Sequence, residues 1–233
     1  MKIVYIASPY HADTPAEMEE NRQAALSYCG EVYRLGRLSG HKIIPVTPIG
    51  LFPYLDDDKP EERRQALRMG AALLSKCDEL WVAGSHVSEG MRGEIRTAAR
   101  LSKPIYSMGV KQEKIQAAID GMRPMLEESV CYKHSGEKDF TNQLLVLKHS
   151  NLAPWAQEPE NQLWIADSGF GCSPSASGRA VYATNLFDGE KARWNRSDFC
   201  GVAIENRLPE WARDRFEEYQ QANNNEESEE IEP

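Results

Sequence analysis

The chain has 233 residues and a formal net charge of −9 at pH 7, from 27 Lys and Arg against 36 Asp and Glu. Hydrophobic residues make up 41% and aromatic residues 9%, which excludes a wholly disordered chain and a strongly basic nucleic-acid-binding protein. Seven of the acids lie in residues 217–233, which contain no base, so residues 1–216 carry a net charge of only −2.

The sequence contains no run of about 18 apolar residues, so it predicts no membrane span and no membrane partner. Its first apolar run is short and breaks into Pro and acid, which is not typical of a secretory signal. The five cysteines are odd in number and widely spaced, as expected for reduced thiols. We therefore expect a cytoplasmic protein.

Strand and helix signals alternate over the first half of the chain. Short apolar runs predict strands at residues 2–7, 41–46, 79–84 and 104–108. Helical spacing of apolar residues predicts helices at residues 15–39, 60–76, 89–102 and 111–128. The proline-rich residues 47–59 between them form a long loop, and long loops are often functional. This order predicts an α/β domain with a parallel sheet and helices on both faces.

The second half changes character and has no long helical pattern between residues 130 and 206. Short apolar runs at 143–147, 162–166, 180–187 and 199–204, separated by Gly, Ser, Pro and Asn, predict four or five short strands. The sequence of residues 208–219 predicts a helix that ends the β-rich domain. We therefore predict an α/β domain over 1–129, a small β-rich domain over 130–216 and a disordered acidic tail over 217–233.

The segment after the strand at 79–84 carries the most specific chemistry. A polar loop holds Ser88 and Gly90, and Glu94 follows four residues later in the first turn of a helix. Ligands of parallel α/β sheets bind beyond the carboxyl ends of the strands, and a helix N-terminus there suits an anion. The strand at 2–7 ends in a second such loop with Ser8, so both loops should face one cavity.

Glu94 and Ser88, and also Tyr5 in the strand at 2–7, each have an interpretation that is purely structural. Glu94 fits an ordinary first-turn glutamate favoured by the helix dipole. Ser88 fits the N-cap of the same helix, a role that is compatible with binding an anion. Tyr5 fits a core residue by its position in the strand.

Three segments together resemble the nucleoside 2-deoxyribosyltransferase-like superfamily. They are YIASPY, NRQAALSYCGEVYRLGRLSGHKIIPVTPIGLF and CDELWVAGSHVSEGMRGEIRTAARLSKPI, in the family's order and spacing within residues 1–110. The group includes deoxynucleoside monophosphate N-glycosidases and many uncharacterised phage and mobile-element proteins. The resemblance implies a Rossmann-like or flavodoxin-like fold, a small-molecule nucleotide substrate, no cofactor or metal, and a homo-oligomer.

The resemblance also implies roles for individual residues. The family's nucleophilic glutamate matches Glu94, which would attack C1′ of the deoxyribose of a (deoxy)nucleoside 5′-monophosphate and displace the base. Ser88 matches a phosphate-binding serine of the monophosphate hydrolases, and Tyr5 an aromatic residue near the sugar. The substrate contacts predicted on this basis are Tyr5, Ser8, Pro9, Tyr10, Ser88, Gly90 and Met91.

One position departs from the family pattern. Many members carry an Asp eight residues before the position of Asp78, where this chain has Gly70, and no nearby carboxylate on the same helix face replaces it. Losing an acid–base partner typically costs about 10²–10⁴ in rate. The alternative function is therefore a non-catalytic module of phage or mobile-element origin that binds or sequesters a nucleotide or contacts a protein.

The second half offers weaker signals. The Gly- and Ser-rich residues 167–179 end in Arg179 and could cradle a phosphate, but their spacing is not that of a Walker loop, so a strand connection is favoured. Residues 191–196 interleave bases with Trp194, a pattern suited to single-stranded nucleic acid, but the near-neutral net charge argues against such a partner. A zinc site formed by Cys131, His134, His149, Cys172 and Cys200 is disfavoured, because only Cys131 and His134 are close in sequence and there is no CxxC pair. The β-rich domain remains a candidate for contacting a protein partner.

Overall fold

The computed structural model describes residues 1–52, 54–56, 58–133 and 135–229, with side chains described for all of these except residues 135 and 224–229. The chain forms two compact units. The first comprises Met1–Met122 with Pro154–Ala156, and the second comprises Arg123–Ala153 with the chain from Gln157 onward. The change between units falls seven residues before the predicted start of the β-rich domain at residue 130.

The first unit is mixed α/β, as predicted. Its elements in chain order are β1 (Lys2–Ala7), α1 (Pro15–Leu38), β2 (Ile43–Val46), α2 (Pro48–Leu51), α3 (Pro60–Lys76), β3 (Glu79–Ala83), α4 (Glu89–Arg100), β4 (Ile105–Met108) and α5 (Gln112–Asp120). The four strands are all parallel and lie in the order β2-β1-β3-β4. The two central strands, β1 and β3, are therefore neighbours although α1, β2, α2 and α3 separate them in the chain.

Helices cover both faces of this sheet. Alternate residues of β1 point to opposite sides, so Val4 and Ile6 pack with Val32 of α1. Tyr5 and Ala7 pack on the other face with residues of the later helices, such as Leu74 and Ile95. Both groups are almost fully buried. The continuous apolar run of β1 thus reflects burial on both faces.

The second unit is built on an antiparallel sheet. Its strands are β5 (Leu144–Leu147), β6 (Leu163–Ser168), β7 (Ala180–Asn185), β8 (Lys191–Asn195) and β9 (Phe199–Val202), and the chain closes with α6 (Glu210–Glu229). The strand order is β8-β7-β6-β5-β9. The Gly- and Ser-rich residues 169–179 connect β6 to β7, which confirms their interpretation as a strand connection.

The sequence missed β8, because the search for continuous apolar runs does not detect an alternating edge strand. Lys191, Arg193 and Asn195 are exposed, whereas Trp194 is partly buried. Its ring packs edge-on against Trp164, with centroids 5.3 Å apart. Trp194 is therefore a core residue and not an exposed base-stacking platform.

Two other elements differ from the predictions. The loop predicted at 47–59 contains α2, whose first residue is Pro48, and proline has the φ angle that a first helical turn requires. The helix predicted at 111–128 ends at Asp120, because Gly121 and then Pro124 disfavour its continuation.

The predicted disordered tail at 217–233 was wrong for residues 217–229, which continue α6. Trp211, Phe216 and Tyr219 anchor the first turns of this helix against the second unit's core. Once a helix is nucleated, each further residue adds a hydrogen bond at little cost, and Gln, Ala and Glu are good helix formers. The last four residues of the predicted tail lie outside the described residues.

All five cysteines lie in the described residues and are free thiols. Among the helices described, none is long and apolar enough to cross a membrane.

Candidate functional site

A cavity of about 290 Å³ opens at the carboxyl ends of β1 and β3. The chain leaves β1 toward β2 on one side and reaches β3 on the other, so these two ends diverge. Such a point in a parallel sheet leaves a crevice where ligands bind. The predicted meeting of the two strand-end loops is therefore confirmed.

The walls of the cavity come from four segments of the first unit. The loop after β1 supplies Ser8, Tyr10 and His11; α2 and its surroundings supply Pro48, Ile49, Phe52 and Leu55; α3 supplies Glu62, Arg63, Ala66, Leu67 and Gly70; and α4 with its cap supplies Ser88, Glu89, Gly90, Met91 and Glu94. The cavity thus joins an apolar wall to a group of carboxyl, hydroxyl and guanidinium groups.

Glu94 accepts a hydrogen bond at Oε1 from the hydroxyl of Tyr5, at 2.6 Å. Tyr5 is fully buried in the middle of β1, so its ring cannot move away without disturbing the sheet. The second carboxyl oxygen of Glu94 is not used in this bond. The hydrogen bond from Tyr5 therefore fixes the Glu94 carboxyl group at the cavity wall through its Oε1 atom.

The pKa of Glu94 is raised to about 7 because burial disfavours its charged form, although the Tyr5 hydrogen bond partly opposes this. The pKa of Tyr5 is raised well above its ordinary value by burial and by the neighbouring carboxylate. Glu94 therefore changes its charge near neutral pH while Tyr5 remains a hydrogen-bond donor.

Glu94 is the sixth residue of α4 and lies in its second turn, not in the first turn as predicted. The helix dipole acts mainly within the first turn. The interpretation of Glu94 as a glutamate placed to stabilise the helix end is therefore wrong.

Ser88 is the N-cap of α4, and its hydroxyl accepts a hydrogen bond from the Met91 N–H at 3.4 Å. The same residue lines the cavity, as do Gly90 and Met91. A helix N-terminus with free N–H groups therefore faces the cavity, which suits an anionic ligand group.

Ser8 is 8% exposed and its Oγ has no hydrogen-bond partner among the described residues. It lines the cavity beyond the end of β1. Buried hydroxyl groups are normally paired, and an unpaired one costs about 1–3 kcal/mol. A hydroxyl in this state, facing a cavity, is available to a bound ligand.

Two of the predicted substrate contacts do not line the cavity. Tyr5 lies behind its wall and acts on it through Glu94. Pro9 packs beside Gly84, where a Cβ built on the glycine would lie 3.1 Å from the proline Cδ. Pro9 therefore shapes the loop that carries Ser8 and Tyr10.

Gly70 also lines the cavity, and the structure gives a steric reason for the glycine. A Cβ at this position would lie 3.0 Å from the Tyr5 hydroxyl oxygen. That is tighter than about nine in ten real Cβ contacts, so a side chain here would push on the hydroxyl that holds Glu94. An aspartate at position 70 would therefore require the Tyr5 hydroxyl to shift by a few tenths of an ångström.

The sequence prediction missed the contribution of α3. Contrary to the expectation that no nearby carboxylate lies on this face, Glu62 lines the cavity two turns before Gly70. Its carboxylate accepts hydrogen bonds from the Asp56 N–H at 2.7 Å and the Lys59 ammonium at 2.9 Å, and these interactions lower its pKa. Glu62 thus orders the loop before α3. Residues 62, 66 and 70 recur at the spacing of one helix face, and this spacing could have predicted from the sequence that Glu62 lies on the same face as Gly70.

Within the part of the chain that the structure describes, no group of three His, Cys, Asp or Glu side chains is placed to hold a metal ion. His134, which the zinc interpretation considered, lies outside the described residues.

A comparison with curated proteins finds no match for the chain. Residues 2–108 are similar to a protein family described as a domain of unknown function (DUF7768). This range runs from β1 to the end of β4 and contains every residue that lines the cavity.

Proposed function

We propose that the first unit is a flavodoxin-like member of the Rossmann-like folds, related to the nucleoside 2-deoxyribosyltransferase-like superfamily. On this proposal the protein cleaves or transfers the N-glycosidic bond of a (deoxy)nucleoside 5′-monophosphate. The observation that carries the proposal is the Glu94 carboxyl group, fixed at the cavity wall by a 2.6 Å hydrogen bond from Tyr5. The strand order β2-β1-β3-β4 supports the fold assignment.

The reaction would proceed in two displacements. The unbonded carboxylate oxygen of Glu94 attacks C1′, the C1′–N bond breaks, and its electron pair leaves with the base. A water molecule, or a second base in a transfer, then attacks C1′ and releases the carboxylate. In hydrolysis the water supplies the sugar hydroxyl, and its proton balances the one taken up by the base. A carboxylate nucleophile divides one difficult displacement into two easier ones.

The cavity offers complementary groups for the rest of the substrate. The N-terminus of α4, with the hydroxyls of Ser88 and Ser8, suits the 5′-phosphate. Ile49, Phe52 and Leu67 form an apolar wall that suits the flat face of a base. We therefore place the phosphate near α4 and the base near α2 and α3.

A second candidate function is binding of the same nucleotide without turnover. It is favoured by Gly70, which leaves the family's acidic position without a carboxylate. It is also favoured by the Glu94 pKa of about 7, because a protonated carboxyl group is not a nucleophile.

The test is to incubate the full chain with deoxynucleoside and ribonucleoside 5′-monophosphates and to measure free base by chromatography. We expect release of base from at least one nucleotide, and a loss of at least about 10³-fold in Glu94→Gln. Glu113→Gln, an exposed glutamate in the first turn of α5, is the matched control and should retain the full rate.

Thermal denaturation with the same nucleotides separates the two candidates. Stabilisation by a nucleotide without release of base would support binding alone. Release that is equal in Glu94→Gln and in the original chain would exclude Glu94 as the nucleophile, and neither release nor stabilisation would contradict both candidates.

A further inference from the structure

The second unit has a cavity of its own, with a volume of about 330 Å³. Three cationic side chains line it, from Lys148, Arg179 and Arg196, together with Ser197 and the rings of Phe140 and Phe199. None of the described residues that line it is acidic. We call this cavity the cationic pocket.

Arg196 forms the fixed part of the cationic pocket. Its guanidinium donates hydrogen bonds to four backbone carbonyls, those of Gly171 (2.9 Å), Cys172 (2.8 Å), Gly136 (3.0 Å) and Lys138. It also lies 3.7 Å from the centroid of the Phe140 ring. These four acceptors are neutral carbonyls that hold the guanidinium in place, and the Asp139 carboxylate also interacts with its charge. The nearby Asp139 carboxylate, bonded to the Thr141 N–H at 2.8 Å, is not among the lining residues.

The backbone of the pocket fixes the positions of the other two cations. The backbone N–H of Arg196 donates a hydrogen bond to the carbonyl of Arg179 at 2.8 Å. The two arginines therefore lie opposite each other on adjacent segments of the backbone. Gly171 lies so close to this carbonyl that a Cβ would be 2.2 Å from it, which explains a glycine there. The Lys148 ammonium donates one hydrogen bond, to the Ser197 carbonyl at 2.7 Å.

Arg179 and Lys148 retain donors for a ligand. The side chain of Arg179 is exposed, and its guanidinium is not bonded to any acceptor in the described chain. Lys148 has two further ammonium hydrogens beyond its bond to Ser197. The planar guanidinium of Arg179 and the ammonium of Lys148 therefore both line the pocket with donors available. The third cation, Arg196, is held in place by its hydrogen bonds.

We propose that the cationic pocket binds the phosphate group of a small molecule. A phosphate dianion balances more of the three positive charges than a carboxylate does, and its oxygens match the guanidinium fork. The pocket is concave and small, and the chain as a whole carries a net charge of −9, which favours a compact ligand over a nucleic-acid strand. This site lies in the second unit and does not depend on the function proposed for the first.

Titration calorimetry of the full chain with inorganic phosphate and with ribose 5-phosphate, in about 150 mM NaCl, tests the proposal. We expect at least one of them to bind with a Kd below about 1 mM. Tighter binding of inorganic phosphate would identify free phosphate as the ligand, and tighter binding of the sugar phosphate would identify a phosphate ester. Amide chemical-shift changes should fall on Lys148 and residues 196–199.

Arg179→Gln should weaken binding at least about tenfold, because it removes a charged donor from the pocket. Arg193→Gln is the matched control, since Arg193 is exposed on β8 and does not line the pocket. It should change the Kd less than about twofold. Both side chains are exposed, so circular dichroism should show folded variants.

The proposal is contradicted if neither probe binds at about 10 mM, or if the two substitutions weaken binding equally, which would indicate general attraction of anions. It is also contradicted if the chemical-shift changes fall only on residues around Glu94. Release of base by the first unit should be the same in Arg179→Gln as in the original chain.

Discussion

Gln162 in the second unit and Ser8 and Thr47 in the first unit are buried polar residues that differ in how many of their hydrogen bonds are made. In the second unit Gln162 is fully buried and forms three bonds, accepting from the Leu126 N–H at 2.7 Å and donating to the carbonyls of Leu126 and Leu147. In the first unit Ser8 and Thr47 are buried, and neither hydroxyl has a partner among the described residues.

The difference separates polar groups that support the fold from polar groups available to a ligand. Gln162 joins the segment that leads into the second unit to the end of β5, so its bonds are part of the architecture. Ser8 and Thr47 immediately follow β1 and β2, at the sheet edge where the cavity opens. An unpaired buried hydroxyl lowers the stability of the folded chain. Such a loss of stability is typical of positions that are kept for function.

The largest effect on stability should follow Gln162→Leu. This near-isosteric change leaves the Leu126 N–H and two carbonyls buried without partners, so we expect a loss of about 2–4 kcal/mol in the free energy of unfolding. Urea denaturation measures it. Gln143→Leu, at an exposed glutamine in the same unit, should change stability by less than about 0.5 kcal/mol. Equal effects in the two variants would contradict a structural role for Gln162.

The next effect is the pH dependence of stability that arises from Glu94. Its pKa is about 7 in the folded chain against 4.5 in the unfolded chain, so the folded state retains the proton more strongly. Stability from this group is present below pH 4.5, declines as pH rises, and is lost above pH 7. The difference between the two pKa values corresponds to roughly 3 kcal/mol of stability.

Glu94→Gln removes this titration. We expect the variant to match the original chain near pH 4.5 and to be more stable by roughly 3 kcal/mol near pH 8.5, as measured by urea denaturation at each pH. Other titrating groups are common to both proteins and cancel in the difference. Parallel pH curves for the two proteins would show that Glu94 has an ordinary pKa.

A smaller effect concerns Gly70 and Tyr5. Alanine normally stabilises a helix interior by about 1 kcal/mol relative to glycine, and Gly93→Ala in α4, where nothing lies within 4 Å, should show this gain. Gly70→Ala should show none, because its Cβ displaces the Tyr5 hydroxyl. In a Tyr5→Phe background the gain should return, giving a coupling of about 1 kcal/mol in a double-mutant cycle. Additive effects would contradict the steric explanation.

The smallest effect should follow Ser8→Ala. It removes a buried hydroxyl that makes no bond, so stability should be unchanged or rise by up to about 0.5 kcal/mol. Ser107→Ala is the control, because the Ser107 hydroxyl donates to the Val110 carbonyl and its removal should be destabilising by about 0.5–1 kcal/mol. A loss in Ser8→Ala as large as in the control would show that the Ser8 hydroxyl is paired in solution.

Local patterns predicted the parallel sheet, because the runs at β1 and β3 are continuous and their ends are polar. They also predicted Ser8, Ser88 and Glu94 together, since parallel strands bring their carboxyl ends to one edge. The hydrogen bond from Tyr5 to Glu94 joins residues 89 positions apart and depends on strand order. The steric role of Gly70 and the cavity position of Glu62 likewise require the orientation of α3 to be known. The helical tail was missed because composition does not show that packed residues 211–219 nucleate it.

The four carbonyl bonds of Arg196 connect two segments that are also joined by a 2.8 Å hydrogen bond from the Phe140 N–H to the Cys172 carbonyl. Residues 136–138 are exposed, whereas Gly171 and Cys172 are buried, so alone the first segment would open more readily than the second. Arg196 links their opening, because releasing either segment leaves its partly buried guanidinium with fewer acceptors. Amides in both loops should therefore exchange with solvent deuterium at a common rate, and that rate should report the opening of the whole pocket rim.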